Sequence, residues 1–312
     1  MNPLRWGVLG VAKINDRLLP AFAAAENARL VAIASRDAGR AKAAAAAAGI
    51  PKAYGHYDQL LADPDVEAVY VPLPNTLHAP WTKRAADAGK HVLCEKPLAA
   101  TAVEAAELAA YCKAAGVRLM DGFMWPHHAR TARLRQVIDA GDIGKVRHVA
   151  GAFTFTLPLD APNIRLRADT AGGSLLDVGC YPVYGIRWAF RAEPVRVNAR
   201  ATMLHGVDAA MNAIMHFEGG RVATFDCGFI LPLRQWLEIA GTKGVIRVPE
   251  MWLPGANAVI EVTCGNGPTE VLALDGRDQI VCMLEGFGKA VREGREPEPS
   301  PDEAVKTLRV LD

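Results

Sequence analysis

The sequence lacks an excess of either charge. Its 35 lysines and arginines nearly balance its 34 aspartates and glutamates, so the formal net charge is only +1. A chain with no strong field of one sign is not drawn as a whole toward nucleic acid or an anionic membrane surface. We therefore expect neither as a partner, and a phosphate group would have to be bound by a local cluster of positive side chains.

Long apolar runs and paired cysteines are also missing. No run approaches the roughly 20 apolar residues that span a bilayer, and the first residues enter a strand-like segment without the basic and apolar regions of a signal peptide. The six cysteines, at positions 94, 112, 180, 227, 264 and 282, form no C-x-x-C pair and have no zinc-ligand spacing. Scattered thiols of this kind predict a cytoplasmic protein without a metal site.

The first 122 residues have the pattern of an α/β domain. Hydrophobic residues make up 51% of the 312 positions, which is enough for two domains with sizeable cores. Short apolar runs alternate with helix-forming segments, and the runs cover residues 5–10, 30–34, 66–71, 91–94 and 117–120. The runs are continuously apolar, as in parallel strands that are covered on both faces. We therefore predict βαβ units with right-handed crossovers over residues 1–122.

The pattern changes in residues 123–312. From Lys145 onward, closely spaced strand-like runs are separated by turn sequences such as Glu218–Gly220, which is typical of antiparallel sheets. Helices are predicted at residues 174–190, 278–293 and 301–311. We predict an α+β domain with a large, open, mainly antiparallel sheet, whose last helix could pack back on the first domain.

A dinucleotide-binding turn follows the first strand. The fingerprint G-x-G-x-x-G/A expects three small residues here, but from Gly10 onward the second position is Ala12 and the third is Asn15. The context is that of the fingerprint, because a strand, a tight turn and a helix N-terminus can together face a pyrophosphate. The predicted cofactor contacts in this turn are Gly10, Val11, Ala12, Lys13 and Ile14.

The end of the second strand distinguishes NAD from NADP. An acidic residue there usually holds the ribose 2′-hydroxyl of NAD, but this sequence has Ser35 and Arg36, with Arg40 one helical turn later. A guanidinium can pair with a 2′-phosphate and stack on adenine. We predict a preference for NADP over NAD, and the alternative that Arg36 is a solvated charge paired with Asp37 stays open.

Two further loops follow later strands at the carboxyl edge, where ligands of open α/β sheets bind. The first contains Pro72–His78, and the second is Glu95-Lys96-Pro97. Taken alone, the second could be an ordinary surface loop, and the histidine of the first a structural cap. The predicted cofactor contacts in these loops are Pro72, Leu73, Asn75, His78, Glu95 and Lys96.

Taken together, these segments resemble the glucose–fructose oxidoreductase / inositol dehydrogenase / MocA-like (Gfo/Idh/MocA) family. The matching segments are 7–10, 74–78, 95–97, Asp121-Gly122-Phe123-Met124-Trp125 and 172–182, which span nearly the whole chain. The resemblance implies an N-terminal Rossmann domain and a C-terminal domain whose open sheet often forms the dimer interface. A homodimer or homotetramer is therefore expected.

Tyr181 indicates which branch of the family the chain resembles. Many members have a histidine four residues after the aspartate that Asp177 matches, whereas the tyrosine and the Asn163–Arg165 segment look like the branch of dihydrodiol and NADP-dependent xylose dehydrogenases. Pro126 stands at a position where a basic residue is common in the family. The resemblance therefore leaves the identity of the substrate contacts open. The resemblance implies hydride transfer between the nicotinamide and a carbinol or carbonyl carbon of a sugar or related polyol, most simply aldose C1.

The resemblance also implies catalytic roles. Asp177 and Tyr181 are spaced by one turn of the predicted helix, so they share a face. Free tyrosine, with a pKa of about 10, is a weak base at neutral pH, but a nearby ammonium group such as that of Lys96 stabilises the phenolate. We predict Tyr181 as the acid/base, Lys96 as its activator and Asp177 as the group that holds the sugar or orients the lysine. Without the resemblance, Tyr181 would be interpreted as a packed core aromatic.

The sugar contacts are predicted from residue type. Carbohydrates pack against aromatic faces, and the predicted substrate contacts are Phe123, Trp125, His127, Arg165, Asp177 and Tyr181. The alternative for the first three is that they begin the next helix and pack between domains. Dihydrodiol oxidation and anhydrofructose reduction are alternatives within the same class, and a cofactor-binding sensor without turnover is an alternative of another class.

Overall fold

The computed structural model describes residues 2–255, 257–274 and 276–312. The chain divides into two compact units, an N-terminal unit of Met1–His127 with Asp278–Val305 and a C-terminal unit of His128–Arg277 with Lys306–Asp312. The boundary expected after residue 122 lies five residues before this division. Residues 278–305, which the sequence assigned to the second domain, belong to the N-terminal unit.

The strands and helices have the following bounds. The strands are β1 Leu4–Leu9, β2 Ala28–Ala34, β3 Lys52–Tyr54, β4 Ala68–Val71, β5 His91–Cys94, β6 Leu119–Asp121, β7 Val146–Thr156, β8 Arg196–Leu204, β9 Val207–Phe217, β10 Arg221–Gly228, β11 Ile230–Gly241, β12 Gly244–Val248, β13 Ala258–Cys264 and β14 Thr269–Leu274. The α-helices are α1 Asn15–Ala24, α2 Ala38–Ala48, α3 Tyr57–Leu61, α4 His78–Asp87, α5 Ala102–Ala114, α6 Ala129–Ala140, α7 Cys180–Phe190, α8 Gln279–Arg292 and α9 Pro301–Leu311.

The N-terminal unit contains a six-stranded parallel sheet in the order β3-β2-β1-β4-β5-β6. The strand order reverses between β1 and β4, and open α/β sheets bind dinucleotides at such a switch point. The predicted Rossmann fold is confirmed. The sequence interpretation missed β3 and α3, because β3 has only three residues and all of them are half-buried.

Local sequence determines where the helices of this unit begin. Asp37 accepts a hydrogen bond from the backbone nitrogen of Arg40 at 3.0 Å and caps α2. Thr101 caps α5 in the same way, and the Glu104 carboxylate reaches back to the backbone nitrogen of Ala100 at 3.0 Å. Short polar side chains at helix starts satisfy N–H groups that have no partner within the helix.

Aromatic packing joins α8 to the N-terminal unit. The Trp6 ring is fully buried, and its centroid lies 5.4 Å from that of Phe22 in α1 and 5.3 Å from that of Phe287 in α8. The amide of Asn27 also donates to the carbonyl oxygen of Glu285 at 2.9 Å. Such packing explains why residues that follow the second sheet in sequence return to the first unit.

The C-terminal unit contains an eight-stranded sheet in the order β14-β13-β12-β11-β7-β10-β9-β8. Strands β7 and β10 pair in parallel, and the other neighbouring pairs are antiparallel. The open, mainly antiparallel sheet is therefore confirmed. Side chains such as Ala209, Ala213 and Met215 of β9 are buried, whereas Ile214 between them is exposed, so one face of the sheet is covered and the other is open.

The helix predicted at residues 174–190 differs in its first turn. Residues Leu175–Gly179 form a π-helical turn, and α7 begins at Cys180. The backbone nitrogen of Cys180 donates to the carbonyl oxygen of Leu175, five residues earlier. Asp177 thus lies in the π turn and Tyr181 in α7, so a simple α-helical spacing between them does not apply. Isolated π turns are frequent at functional sites.

Within the part of the chain that the structure describes, no helix is long and apolar enough to cross a membrane.

Asp121 is a buried acid at the end of β6. Its residue is only 4% exposed. Burial raises the pKa of this carboxyl to about 7, the negative charges of Glu95 and Glu303 act in the same direction, and a hydrogen bond from the backbone of Phe123 opposes them. Because the folded-state pKa lies above the ordinary value of 3.8, proton binding stabilises the folded protein in full below that value, and this stabilisation is lost as the pH rises through 7.

We expect Asp121→Asn to become more favourable relative to the wild type as the pH rises. The amide does not ionise, whereas the wild-type carboxyl loses its proton-linked stabilisation. Relative to the wild type, the free energy of unfolding of the variant should rise by about 2–3 kcal/mol between pH 5 and pH 8. Urea denaturation at each pH measures it. Asp302→Asn, at an exposed position, is the matched control. A difference that does not depend on pH would contradict the buried, proton-binding state of Asp121.

Candidate functional site

The turn after β1 is tightened by an asparagine in place of the third glycine. The buried Asn15 donates its amide to the Gly10 carbonyl oxygen at 2.9 Å. Gly10 has a φ of +139°, and a Cβ there would lie 3.3 Å from a methyl carbon of Leu73. Glycine is therefore suited to this position both by its backbone conformation and by the close approach of the Pro72–His78 loop.

The other residues of the turn lead into α1. The backbone nitrogen of Asn15 donates to the Ala12 carbonyl oxygen at 3.0 Å, and that of Leu18 donates to Ile14 at 3.0 Å. The Lys13 ammonium pairs with Asp16 at 2.6 Å on the surface. The turn thus leads directly into a helix N-terminus, as a pyrophosphate site requires.

Positive side chains gather at the end of β2. Arg40 donates to the carbonyl oxygen of Val11 at 3.0 Å, which brings its guanidinium to the β1 turn. Ser35 is buried, and its hydroxyl accepts from the backbone nitrogen of Asp37 at 3.2 Å. The Asp37 carboxylate caps α2, which gives it a structural role beside the exposed Arg36.

Tyr57 is a residue of this cluster that the sequence interpretation missed. Burial raises the pKa of Tyr57, while the charge and hydrogen bond of Arg36 and the charge of Arg40 lower it. Its ring packs edge-on against Trp81, with centroids 4.8 Å apart. The hydroxyl therefore lies beside the two arginines. It follows the unrecognised β3, and no motif marks it.

His78 joins the two loops at the carboxyl edge of the sheet. It is fully buried, with Nδ1 2.7 Å from the carbonyl oxygen of Pro97 and Nε2 2.7 Å from that of Leu73. Burial lowers the pKa of His78 to about 4, the two carbonyl groups oppose this shift, and the charge of Lys96 adds to it. A carbonyl oxygen only accepts, so a neutral imidazole donates to one of the two loops, and only the imidazolium donates to both. The ring lies between the two loops within the protein.

The other predicted residues of the Pro72–His78 loop lie nearer the surface or at its base. Pro72 is buried at the end of β4, Leu73 is half-buried, and Asn75 opens a single 3-10 turn over Asn75–Leu77. Because β1 and β4 are neighbours in the sheet, this loop and the Gly10 turn meet at one edge. The structure therefore brings together the two loops that the sequence placed at the cofactor.

Glu95 and Lys96 follow β5 at the same edge. Glu95 is buried, and its carboxylate accepts hydrogen bonds from the Tyr70 hydroxyl through Oε1 and from the Lys96 backbone nitrogen through Oε2, the latter at 3.2 Å. Lys96 is half-buried, and the Lys96–Pro97 peptide bond is cis. Tyr70 comes from β4, beside β5, and was not among the predicted site residues.

In the C-terminal unit, Asp208 fixes the start of the π turn. Its Oδ2 accepts from the Ser174 hydroxyl at 2.6 Å and from the Leu175 backbone nitrogen at 2.7 Å. Gly173 has a φ of +112°, and a Cβ there would lie 2.2 Å from Asp208 Oδ1. The glycine before Ser174 is therefore required by this contact. No local pattern marks Asp208, because it lies 34 positions after its partner.

Asp177 is paired with Arg165. The arginine Nε donates to Asp177 Oδ2 at 2.6 Å, and the two side chains are 41% and 15% exposed. The guanidinium also lies 5.9 Å from the ring centroid of Phe155. Two residues that the sequence predicted as substrate contacts thus contact each other in the C-terminal unit.

Tyr181 packs in the core of the same unit. It is 5% exposed, and its ring lies edge-on to Phe153 at 5.0 Å and 6.0 Å from Trp252 between centroids. Its ring thus has the packed environment of a core aromatic. Its role as acid/base stays a prediction.

The aromatic segment before α6 is buried. Phe123 and Trp125 are 1% and 0% exposed, and Trp125–His127 form a 3-10 turn. Burial lowers the pKa of His127 to about 4. His128, rather than the earlier residues, caps α6 by accepting from the Arg130 backbone nitrogen at 3.0 Å. Sugar contacts by these aromatic residues stay a prediction.

Among the described residues, no group of three or more His, Cys, Asp or Glu side chains is arranged to hold a metal ion.

Comparison with known proteins identifies both units. Residues 4–123 match a family described as an oxidoreductase family with an NAD-binding Rossmann fold, and residues 131–247 match the GFO/IDH/MocA C-terminal domain. The chain is 40% identical to D-xylose 1-dehydrogenase (NADP(+)) 2 of Haloferax volcanii, over 99% of this chain and 95% of that protein.

Two solved structures of related enzymes share the whole fold. A 3-ketoreductase from Actinomadura kijaniata, in complex with NADP and TDP-benzene, has a TM-score of 0.92 and 34% identity, over 100% of this chain and 96% of that one. An aldose-aldose oxidoreductase from Caulobacter crescentus, complexed with glycerol, has a TM-score of 0.92 and 31% identity, over 99% and 96%. The chain therefore belongs to the Gfo/Idh/MocA family of oxidoreductases, as its motifs predicted.

Proposed function

We propose that this protein transfers a hydride between NADP and a carbinol or carbonyl carbon of a sugar or related polyol, most simply aldose C1. The observation that carries the proposal is the carboxyl edge of the parallel sheet, where Gly10, the Pro72–His78 loop and Glu95-Lys96 follow the neighbouring strands β1, β4 and β5. A dinucleotide bound at this switch point would lie beside the lysine. Relatives named as D-xylose 1-dehydrogenase (NADP(+)) 2 and as an aldose-aldose oxidoreductase support the substrate class, and the related 3-ketoreductase was solved in complex with NADP.

The cluster at the end of β2 supports NADP over NAD. Arg36, Arg40 and the buried Ser35 supply two positive charges and a hydroxyl, and the Tyr57 hydroxyl lies beside Arg36. Arginine matches the planar, bidentate geometry of a phosphate group. In this proposal Val11, Ala12, Lys13 and Ile14 hold the pyrophosphate through the turn and helix start.

The proposed chemistry uses three side chains. The nicotinamide, when bound, accepts or donates the hydride. In the oxidative direction Tyr181 takes the hydroxyl proton of the substrate, and the Lys96 ammonium stabilises the phenolate form and polarises the substrate oxygen. In the reductive direction the same tyrosine returns the proton. Asp177, held by Arg165, is proposed to accept a hydrogen bond from a sugar hydroxyl.

Alternatives within the class use the same groups. A dihydrodiol oxidation or an anhydrofructose-type reduction moves the same hydride and the same proton on a different carbon skeleton. A tightly bound cofactor that does not exchange would instead favour coupled oxidation and reduction of two sugars in one site. A non-catalytic NADP sensor would bind the cofactor without turnover.

We expect reduced nicotinamide to form when the protein is given NADP and a panel of aldoses, ketoses and dihydrodiols. Lys96→Ala should lower kcat about 10²–10⁴-fold, because it removes the charge that supports proton transfer. Tyr181→Phe should lower kcat to a similar degree while keeping the ring packing. Absorbance of the reduced nicotinamide measures each rate, and Lys113→Ala, at an exposed position on α5, is the control.

The results separate the alternatives. NADP binding without turnover on any member of the panel would favour the sensor. Near-normal turnover of Lys96→Ala would remove the lysine from the mechanism, and retained activity of Tyr181→Phe would transfer the acid/base role to Lys96 or water.

We expect Arg36→Ala to raise the KM for NADP about 10–100-fold and to change the KM for NAD little, because a charge-assisted hydrogen bond is worth about 1.5–3 kcal/mol. Steady-state kinetics with each cofactor at saturating sugar measure both constants. Arg29→Ala, also at an exposed position, should change neither. A wild-type preference for NAD, or an equal rise in both constants, would overturn the assignment.

We further propose that the open face of the C-terminal sheet joins two copies of the chain, in a homodimer or in a homotetramer. Ile214 is 44% exposed there, pairs with Thr224 across β9 and β10, and is flanked by Asn212 and Asp226 on the same face. Leu233, at the start of β11, is 59% exposed. Exposed apolar side chains on a broad sheet are typical of an interaction surface.

We expect Ile214→Asp to shift the protein toward the monomer, because an unpaired carboxylate is costly to bury in an interface. Light scattering coupled to size-exclusion chromatography measures the mass over a range of concentrations. Val103→Asp, at a 68% exposed position on α5, should leave the mass unchanged. A wild-type protein that is monomeric at every concentration would rule out the proposed interface.

We also propose a cytoplasmic location. The six cysteines are all free thiols, and thiols persist in reducing compartments.

A further inference from the structure

We propose that Tyr70 is a positioning residue for Lys96 and acts through the Glu95 carboxylate. This inference rests on the proposed catalytic role of Lys96. It concerns a side chain that no motif marks and that lies beneath the loop rather than in it.

Three groups form a continuous hydrogen-bonded chain. Tyr70 is fully buried in β4, and its hydroxyl donates to Glu95 Oε1. The other oxygen of the same carboxylate, Oε2, accepts from the backbone nitrogen of Lys96 at 3.2 Å. One carboxylate therefore links a rigid strand to the backbone of the lysine.

The strands determine where this chain can form. Tyr70 pairs with Leu93 across β4 and β5, and Val71 pairs with Cys94. Glu95 continues β5 by one residue, and its backbone nitrogen donates to the Val71 carbonyl oxygen at 3.2 Å. The tyrosine thus lies on the neighbouring strand, one step before the point where the loop begins.

The surroundings leave the Glu95 carboxylate little freedom. A Cβ on Gly122 would lie 3.2 Å from Glu95 Oε1 and 3.1 Å from the Cys94 carbonyl oxygen, so one side is closed by backbone. Asp121 is buried nearby, and its pKa is raised in part by the charge of Glu95. Asp121 can donate a hydrogen bond only while it keeps its proton, whereas the Tyr70 hydroxyl is a donor in its neutral form.

Loss of the hydroxyl should disturb the lysine without opening the core. The phenyl ring of a phenylalanine fills the same space, whereas Glu95 Oε1 loses the donor that the Tyr70 hydroxyl supplies. The bond from Oε2 to the Lys96 backbone then weakens. A displacement of about 1 Å in a catalytic group can lower a rate by about 100-fold.

The decisive experiment compares Tyr70→Phe, Lys96→Ala and the double variant in the NADP-dependent sugar assay. Tyr70→Phe should lower kcat about 10–100-fold, and the KM for sugar and the Kd for NADP should stay within about threefold. In the Lys96→Ala background the same substitution should have no further effect, because a residue that acts only through another loses its influence when that other is removed. Tyr111→Phe, which removes a hydroxyl bonded to Asp87 at an exposed position, is the matched control and should keep full activity.

A second variant covers the case in which Tyr70→Phe does not fold, as judged by circular dichroism. Gly122→Ala places a methyl group against Glu95 Oε1 and leaves Tyr70 intact, so it should reproduce the loss of kcat. The inference is overturned if the folded Tyr70→Phe variant has a kcat within twofold of the wild type, if it changes only KM, or if it lowers the residual rate of Lys96→Ala by the same factor as in the wild type. Full activity of Lys96→Ala would instead refute the proposed role of the lysine, and this inference with it.

Discussion

The reversal of strand order beside β1 is the constraint on which the N-terminal unit depends. Because β4 lies against the opposite side of β1 from β2, the loops after β1, β4 and β5 all open at one edge. His78 then ties two of these loops to each other through the carbonyl oxygens of Leu73 and Pro97. Sheet topology brings the loops together, and a buried imidazole lies between two of them.

Two acidic side chains are buried at the same edge of the sheet, and burying them costs free energy. Glu95 and Asp121 are both less than a tenth exposed, and the charge of Glu95 opposes the ionisation of Asp121. The protein meets this cost with a donor from Tyr70, with a backbone donor from Lys96 and with a raised pKa on Asp121. Local rules of folding are often violated at functional sites and compensated by neighbouring groups. The hydrogen-bonded chain of Tyr70, Glu95 and Lys96 is such a case, because apolar side chains in its place would avoid the cost of burying charged groups.

The sequence was sufficient to predict most of the elements, though not β3 and α3, and it did not predict their partners. Continuous apolar runs, the Thr101 cap and the Glu95-Lys96-Pro97 loop are local patterns, and each predicted element that rests on such a pattern is present. Three-residue β3 is too short to show a period. In the π turn, Gly179 lies against Cys227, where a Cβ would lie 2.8 Å from the sulfur, and no local pattern marks this contact. Asp208, like Tyr70, finds its partner only when distant strands are brought together, so no local pattern could reveal either.

The C-terminal unit combines a rigid and an adjustable part on one segment. Tyr181 is held by aromatic packing against Phe153 and Trp252, which allows little movement of its ring. Asp177 lies in the π turn, and its ion-pair partner Arg165 is 41% exposed. An ion pair of this exposure is weak and easily exchanged for another hydrogen bond. The proposed acid/base, Tyr181, is therefore held in place by the fold. The proposed sugar contact, Asp177, can exchange its ion pair for a hydrogen bond to a substrate hydroxyl. The residue for catalysis and the residue for recognition thus lie on different turns.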